Sequence, residues 1–251
     1  MQAAFFCGND EFLVSEGARK WLERVCPAEE QALALEVVEG RVTTIDEAVA
    51  SLDGVLAALR AVGLFGGKKV VWLRDATFLK HGVIMKNAKV KVLLAALAED
   101  LKAGLSGEQF LVVSAPGVDR RSAFYKAIKA CGEWQEHELP ERDYEVRPIA
   151  LQRVSKRIRE EGFSAAPGAV DRLVDRVGFE TRQLFNELDK LMLYKGAERS
   201  VSVADVDAIV SATGEAVIWD FTDAVAERRL GEALRVFRRL LFQKESPVRL
   251  V

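Results

Sequence analysis

The first place in this chain where residue types and spacing could perform chemistry is the turn Cys7-Gly8-Asn9-Asp10-Glu11-Phe12, between an apolar run and a helical stretch. A strand–turn–helix of this kind can cradle phosphate. The working form is GxxxxGK[ST], with backbone N–H groups around the anion, a lysine on it and a hydroxyl on magnesium. This turn has one glycine, no lysine and two carboxylates, Asp10 and Glu11. Carboxylates suit a helix N-terminus but repel phosphate. The third apolar run, VVWLRD, ends in Asp75, where a magnesium-binding acid could stand. The next residue is Ala76, so no second acid is present to activate water, and Asp75 reads first as a turn or cap residue. Phosphoryl transfer depends on positioning and charge neutralisation, and little of either remains here. His81 and His137 have no evident partner in sequence, and His137 reads as a solvated residue of an edge strand. No GxSxG or HExxH motif occurs.

The elements around these residues alternate. Apolar runs at 3–7, 34–38, 70–73 and 109–115, and the segment 133–139, predict five strands. Helical spacing fills 9–25, 43–59, 85–101 and 120–131. Thr43 or Thr44 can cap the second helix, with Glu47 placed to complete a capping box. Short, unbroken apolar strands separated by helices specify parallel βαβ units in a three-layer α/β domain.

After Pro140 the pattern changes, and no strand is expected beyond Tyr144. Helices are predicted at 148–162, 168–178 and 181–196, each followed by a glycine in the C′ position. Ser202 caps a short fourth helix. Residues 216–251 read as two more helices, and the apolar run after Pro247 predicts the start of a third domain. The expected organisation is therefore 1–140, an α/β domain without a functional phosphate loop; 141–211, a helical lid-like domain; and 212–251, the beginning of a further helical domain.

Composition sets the remaining bounds. The 251 residues are 49% hydrophobic and 29% charged, with a net charge of -2. That is a globular balance, and it argues against a surface coated in positive charge for nucleic acid. Cys7, Cys26 and Cys131 form no CxxC pair, so a reducing, cytoplasmic setting is expected, without disulfide or metal. The N-terminus lacks a signal-peptide pattern, and no apolar run is long enough to cross a membrane.

One segment stands apart. In Val62-Gly63-Leu64-Phe65-Gly66-Gly67 a large apolar pair is flanked by glycines. Leu64 and Phe65 either fold back into the core or are presented as an apolar wedge for another protein's pocket. GNDEFLVSEG, LFGGKKVVWLRDA, QFLVVSAPGVDRRSAFYKAI, ETRQLFNELDKLMLYKG and IWDFTDAVAERRLGEALRVFRRLL fall in an order and spacing that resembles the delta subunits of the bacterial DNA polymerase III clamp loader. The resemblance spans essentially the whole chain.

That resemblance implies two AAA+-like domains, of P-loop NTPase type, followed by a helical collar. It implies no ATP hydrolysis and no cofactor: the chain is no enzyme by itself, but part of a DNA-directed DNA polymerase, a nucleotidyltransferase. The implied partners are the beta sliding clamp, the gamma/tau and delta-prime subunits, and primed DNA through the assembled complex. Leu64 and Phe65, with Val62 ahead of them, match the wedge that opens the clamp ring. Arg120 and Arg121 match a segment that could serve a neighbour's ATP site or DNA, or simply be a solvated helix start. The terminal stretch 228–251, with seven basic and two acidic residues, leaves a DNA-facing or collar-facing role open. Two other classes compete: a divergent AAA+ ATPase using Asp75, and a DNA-binding adaptor such as a helicase loader.

Overall fold

The computed structural model describes residues 2–61, 67–211, 221 and 224–242, without the side chains of 143, 144 and 239–242. The chain divides into two compact units, Met1–Leu139 and Pro140–Val251.

In the first unit five parallel strands form one sheet in the order β2-β3-β4-β1-β5. They are β1 (Ala3–Cys7), β2 (Leu35–Glu39), β3 (Lys69–Arg74), β4 (Gln109–Ala115) and β5 (Glu133–Glu136). β1 lies inside the sheet, with Phe5 opposite Val113 on one side and Trp134 on the other. Strand alternation sends successive residues to opposite faces. Phe5, Val71, Leu73, Leu111 and Val113 meet α3 (Ile45–Arg60), α5 (Ala88–Ala103) and α6 (Ala123–Cys131). Phe6, Val70, Trp72 and Val112 meet α1 (Glu11–Val25) through Trp21 and Leu22. Both faces are covered, which is why these strands read as unbroken apolar runs.

The helices begin where their caps say they should. Asp10 accepts from the Leu13 N–H, and Thr44 and Glu47 close a full capping box on α3. Two helices depart from expectation. α2 (Ala28–Ala34) was hidden by its direct entry into β2, although Pro27 at its cap and Glu29-Glu30 in its first turn are start signals. The helix expected over 85–101 is two, α4 (Val83–Lys86) and α5. Asn87 ends one and caps the other, accepting from the Lys89 N–H. The fifth strand stops at Glu136, three residues short of the expected end.

The second unit contains α7 (Asp143–Glu160), α8 (Ala169–Val177), α9 (Thr181–Lys195), α10 (Val203–Ile209) and α11 (Leu230–Phe242). Val154, Leu173, Val174, Leu184, Leu188 and Val206 form its buried centre. α7 starts five residues before the expected helix and carries Pro148 inside it, at the cost of one backbone hydrogen bond. The expectation of no strand after Tyr144 is corrected too. Ser164–Ala165 and Ser200–Val201 pair as two very short parallel strands, β6 and β7, too brief for a period-2 pattern to register.

Candidate functional site

The first turn is filled by the chain itself. The strand end past β5 folds across it: the His137 N–H donates to the Cys7 carbonyl at 2.7 Å, and the His137 carbonyl accepts from the Asp10 N–H at 3.1 Å. Asn9 locks the same segment twice. Its Nδ2 donates to the Leu139 carbonyl at 2.8 Å, and its Oδ1 accepts from the Leu139 N–H at 2.6 Å. The Gly8 N–H is spent on the Ala115 carbonyl. A phosphate cradle needs such N–H groups free and convergent. Here those of Gly8 and Asp10 are committed, and the buried Asp10 carboxylate takes the N–H of Leu13. Cys7 cannot serve as a nucleophile either. Burial, with Glu136 and Glu138 nearby, pushes its thiol up to about 12.

His137 is half-buried rather than solvated, because this packing covers it. His81 does have partners. Its Nδ1 lies 3.2 Å from Asp119 Oδ2 and 3.0 Å from Arg121 Nη2. Arg121 also donates to Asp119 through its backbone N–H and its Nε, holding that carboxyl well below the usual range. The three residues follow β3 and β4, which are neighbours in the sheet but far apart in sequence. No local motif could have announced them.

Asp75 directly follows β3 in the left-handed region, at φ 54°. Its N–H donates to Ser114 Oγ at 3.1 Å, and that buried hydroxyl also accepts from Trp72 Nε1 at 3.2 Å. The carboxylate faces Arg41, whose Nη2 lies 3.5 Å from Asp75 Oδ2 and 3.5 Å from Glu11 Oε2. Arg41 follows β2, the neighbour of β3, which explains the meeting. The two acids raise the Arg41 pKa, the charge of Glu11 being the largest single cause. The acid that could have held magnesium thus faces an arginine, and no group of three or more metal-ligating side chains occurs among the described residues.

At the other end of β3, the proposed wedge residues Val62, Leu64 and Phe65 lie outside the described residues. Their flanks are defined. α3 ends at Arg60, which pairs with Asp100 at 3.2 Å, and Ala61 and Gly67 are exposed. On the far side Lys68 pairs with Glu30 at 2.8 Å and Lys69 with Glu36 at 2.6 Å.

This geometry meets the comparisons. The family model for the DNA polymerase III delta subunit matches residues 5–136, more than half of the chain. The chain belongs to the DNA polymerase III delta subunit family. The delta subunit of Bacillus subtilis DNA polymerase III is 21% identical over 246 residues, covering 97% of this chain and 67% of that one. The solved DNA clamp loader delta protein of Bacillus subtilis superposes with a TM-score of 0.75 at 19% identity, covering 100% of this chain and 70% of that one. In this delta-family chain Arg120 pairs with Glu136 and Glu138, and Arg121 with Asp119. Both arginines are exposed. No helix among the described residues is long and apolar enough to cross a membrane.

Proposed function

We propose that this chain is the clamp-binding subunit of a bacterial clamp loader. Leu64 and Phe65, with Val62, insert into an apolar pocket on the sliding clamp, and the chain does not hydrolyse ATP itself. Residues 1–140 carry the wedge, 141–211 form a lid-like domain, and 212–251 begin the collar that joins gamma/tau and delta-prime in the cytoplasm, over primed DNA.

The observation that carries this reading is the exposed, ion-paired end of α3 in a chain of the delta family. Clamp opening follows by population shift: a pocket that binds the wedge better in the open ring than in the closed one moves the ring towards the open form. The first turn supports the non-hydrolysing part, since the N–H groups of Gly8 and Asp10 and the space above Gly8 are taken.

The test is clamp binding by the double variant Leu64→Ala with Phe65→Ala. Loss of binding with unchanged thermal melting supports the proposal, and unchanged affinity sinks it.

A further inference from the structure

Between residues 76 and 98 the chain has four lysines and no acid, and between 120 and 132 it has two arginines, two lysines and no acid. α5 and α6 pack together. Where these stretches meet, a groove of about 480 Å³ opens among α4, α5 and the start of α6. Met85, Leu94 and Phe124 form its floor, and Ala95 lies exposed on its wall. Lys86 and Lys91 stand exposed on its rim, with Arg121.

The rim's charge is uncompensated. Several cations elsewhere in this unit are paired with acids, among them Arg24 with Glu133, Arg60 with Asp100, Lys68 with Glu30 and Lys69 with Glu36. Lys86 and Lys91 have no carboxylate within ion-pair distance among the described residues. The groove's one acid, Asp119, is already held by Arg121 and His81. A concave apolar floor under a cationic rim complements an anionic chain that carries a large apolar side chain.

We propose that this groove docks an acidic peptide segment of a partner protein, seating one large apolar side chain between α5 and α6 and pairing its carboxylates with Lys86 and Lys91. The floor decides against a nucleic acid. Single strands bind on exposed aromatic platforms that stack their bases, whereas Phe124, the one phenyl ring lining the groove, is 1% exposed, and the His81 imidazole is engaged by Asp119 and Arg121.

The probe is a fluorescein-labelled octapeptide of glutamates and aspartates around a central tryptophan and leucine, titrated by anisotropy against the full chain. Saturable binding that weakens with added salt is expected. Lys86→Glu with Lys91→Glu should weaken it about tenfold or more, since each lost pair and new repulsion adds a fraction of that factor. Ala95→Trp, which fills the groove without changing charge, should weaken it comparably. Both variants are surface changes, checked by an unaltered melting curve. The proposal is overturned if the peptide shows no saturable binding, if Ala95→Trp binds as the wild type does, or if a labelled oligothymidylate of similar length binds at this groove and the peptide does not.

Discussion

The carbonyl oxygen of His137 occupies the space that a side chain on Gly8 would need: a Cβ built on Gly8 falls 2.0 Å from it. Gly8 also holds φ +139°, which side-chain-bearing residues rarely adopt. The turn is therefore closed sterically as well as electrostatically. Gly8→Ala is expected to cost at least about 2 kcal/mol, through strain and displacement of the 137–139 segment. Chemical denaturation of the two proteins measures it.

The same closure predicts the outcome of a nucleotide titration. A fluorescent ATP analogue with magnesium should show no saturable binding at micromolar concentrations. Binding that requires magnesium and is lost in Asp75→Ala would instead favour a divergent ATPase.

For the wedge, fully burying an apolar side chain yields roughly 1.5–3 kcal/mol. Leu64→Ala with Phe65→Ala should therefore weaken clamp binding by roughly 3 kcal/mol or more, read by surface plasmon resonance on immobilised clamp.

Ser114 makes a sharper test of the frame. Ser114→Ala leaves the Trp72 indole N–H and the Asp75 N–H without their shared acceptor in a buried place. A loss of about 1–3 kcal/mol is expected by denaturant unfolding.

In the second unit, acid should act through Asp205. The Ser202 hydroxyl and N–H, then Lys195, hold its carboxyl down to about 2. A depressed folded pKa means the unfolded chain takes up the proton first. The contribution is therefore complete above the ordinary carboxylate range and disappears as pH falls towards 2. The stability difference between the wild type and Asp205→Asn should be constant near neutrality and shrink between about pH 4 and pH 2, followed by urea unfolding at each pH.

The parallel sheet was legible because its inner strands, β1, β3 and β4, are apolar on both faces, as Phe5 and Phe6 illustrate. The α3 start was legible because Thr44 and Glu47 are a local signal. α2 was missed because it passes into β2 without a break, and β6 and β7 because two residues carry no period. At the candidate site, the misfit of Asp10 and Glu11 with phosphate could be read directly. The 137–139 segment over Gly8, the reach of Arg41 to Asp75, and the His81–Asp119–Arg121 cluster are products of strand order. Residues that follow adjacent strands meet whatever their distance in sequence.

α3 joins the two ends of this unit mechanically. It begins at a capping box three residues after Arg41, beside the closed turn, and runs sixteen residues to Arg60. At 1.5 Å per residue that is a rod of about 24 Å. Ala48, Leu52, Val55, Leu56 and Leu59 bury one side of it against the core, so it moves as a body or not at all. A tilt of ten degrees about the Thr44 end would carry Arg60 through about 4 Å, roughly the width of a side chain. The helix is thus a rod that links the neighbourhood of Arg41, whose guanidinium reaches Glu11 of the first turn, to the exposed end at Arg60.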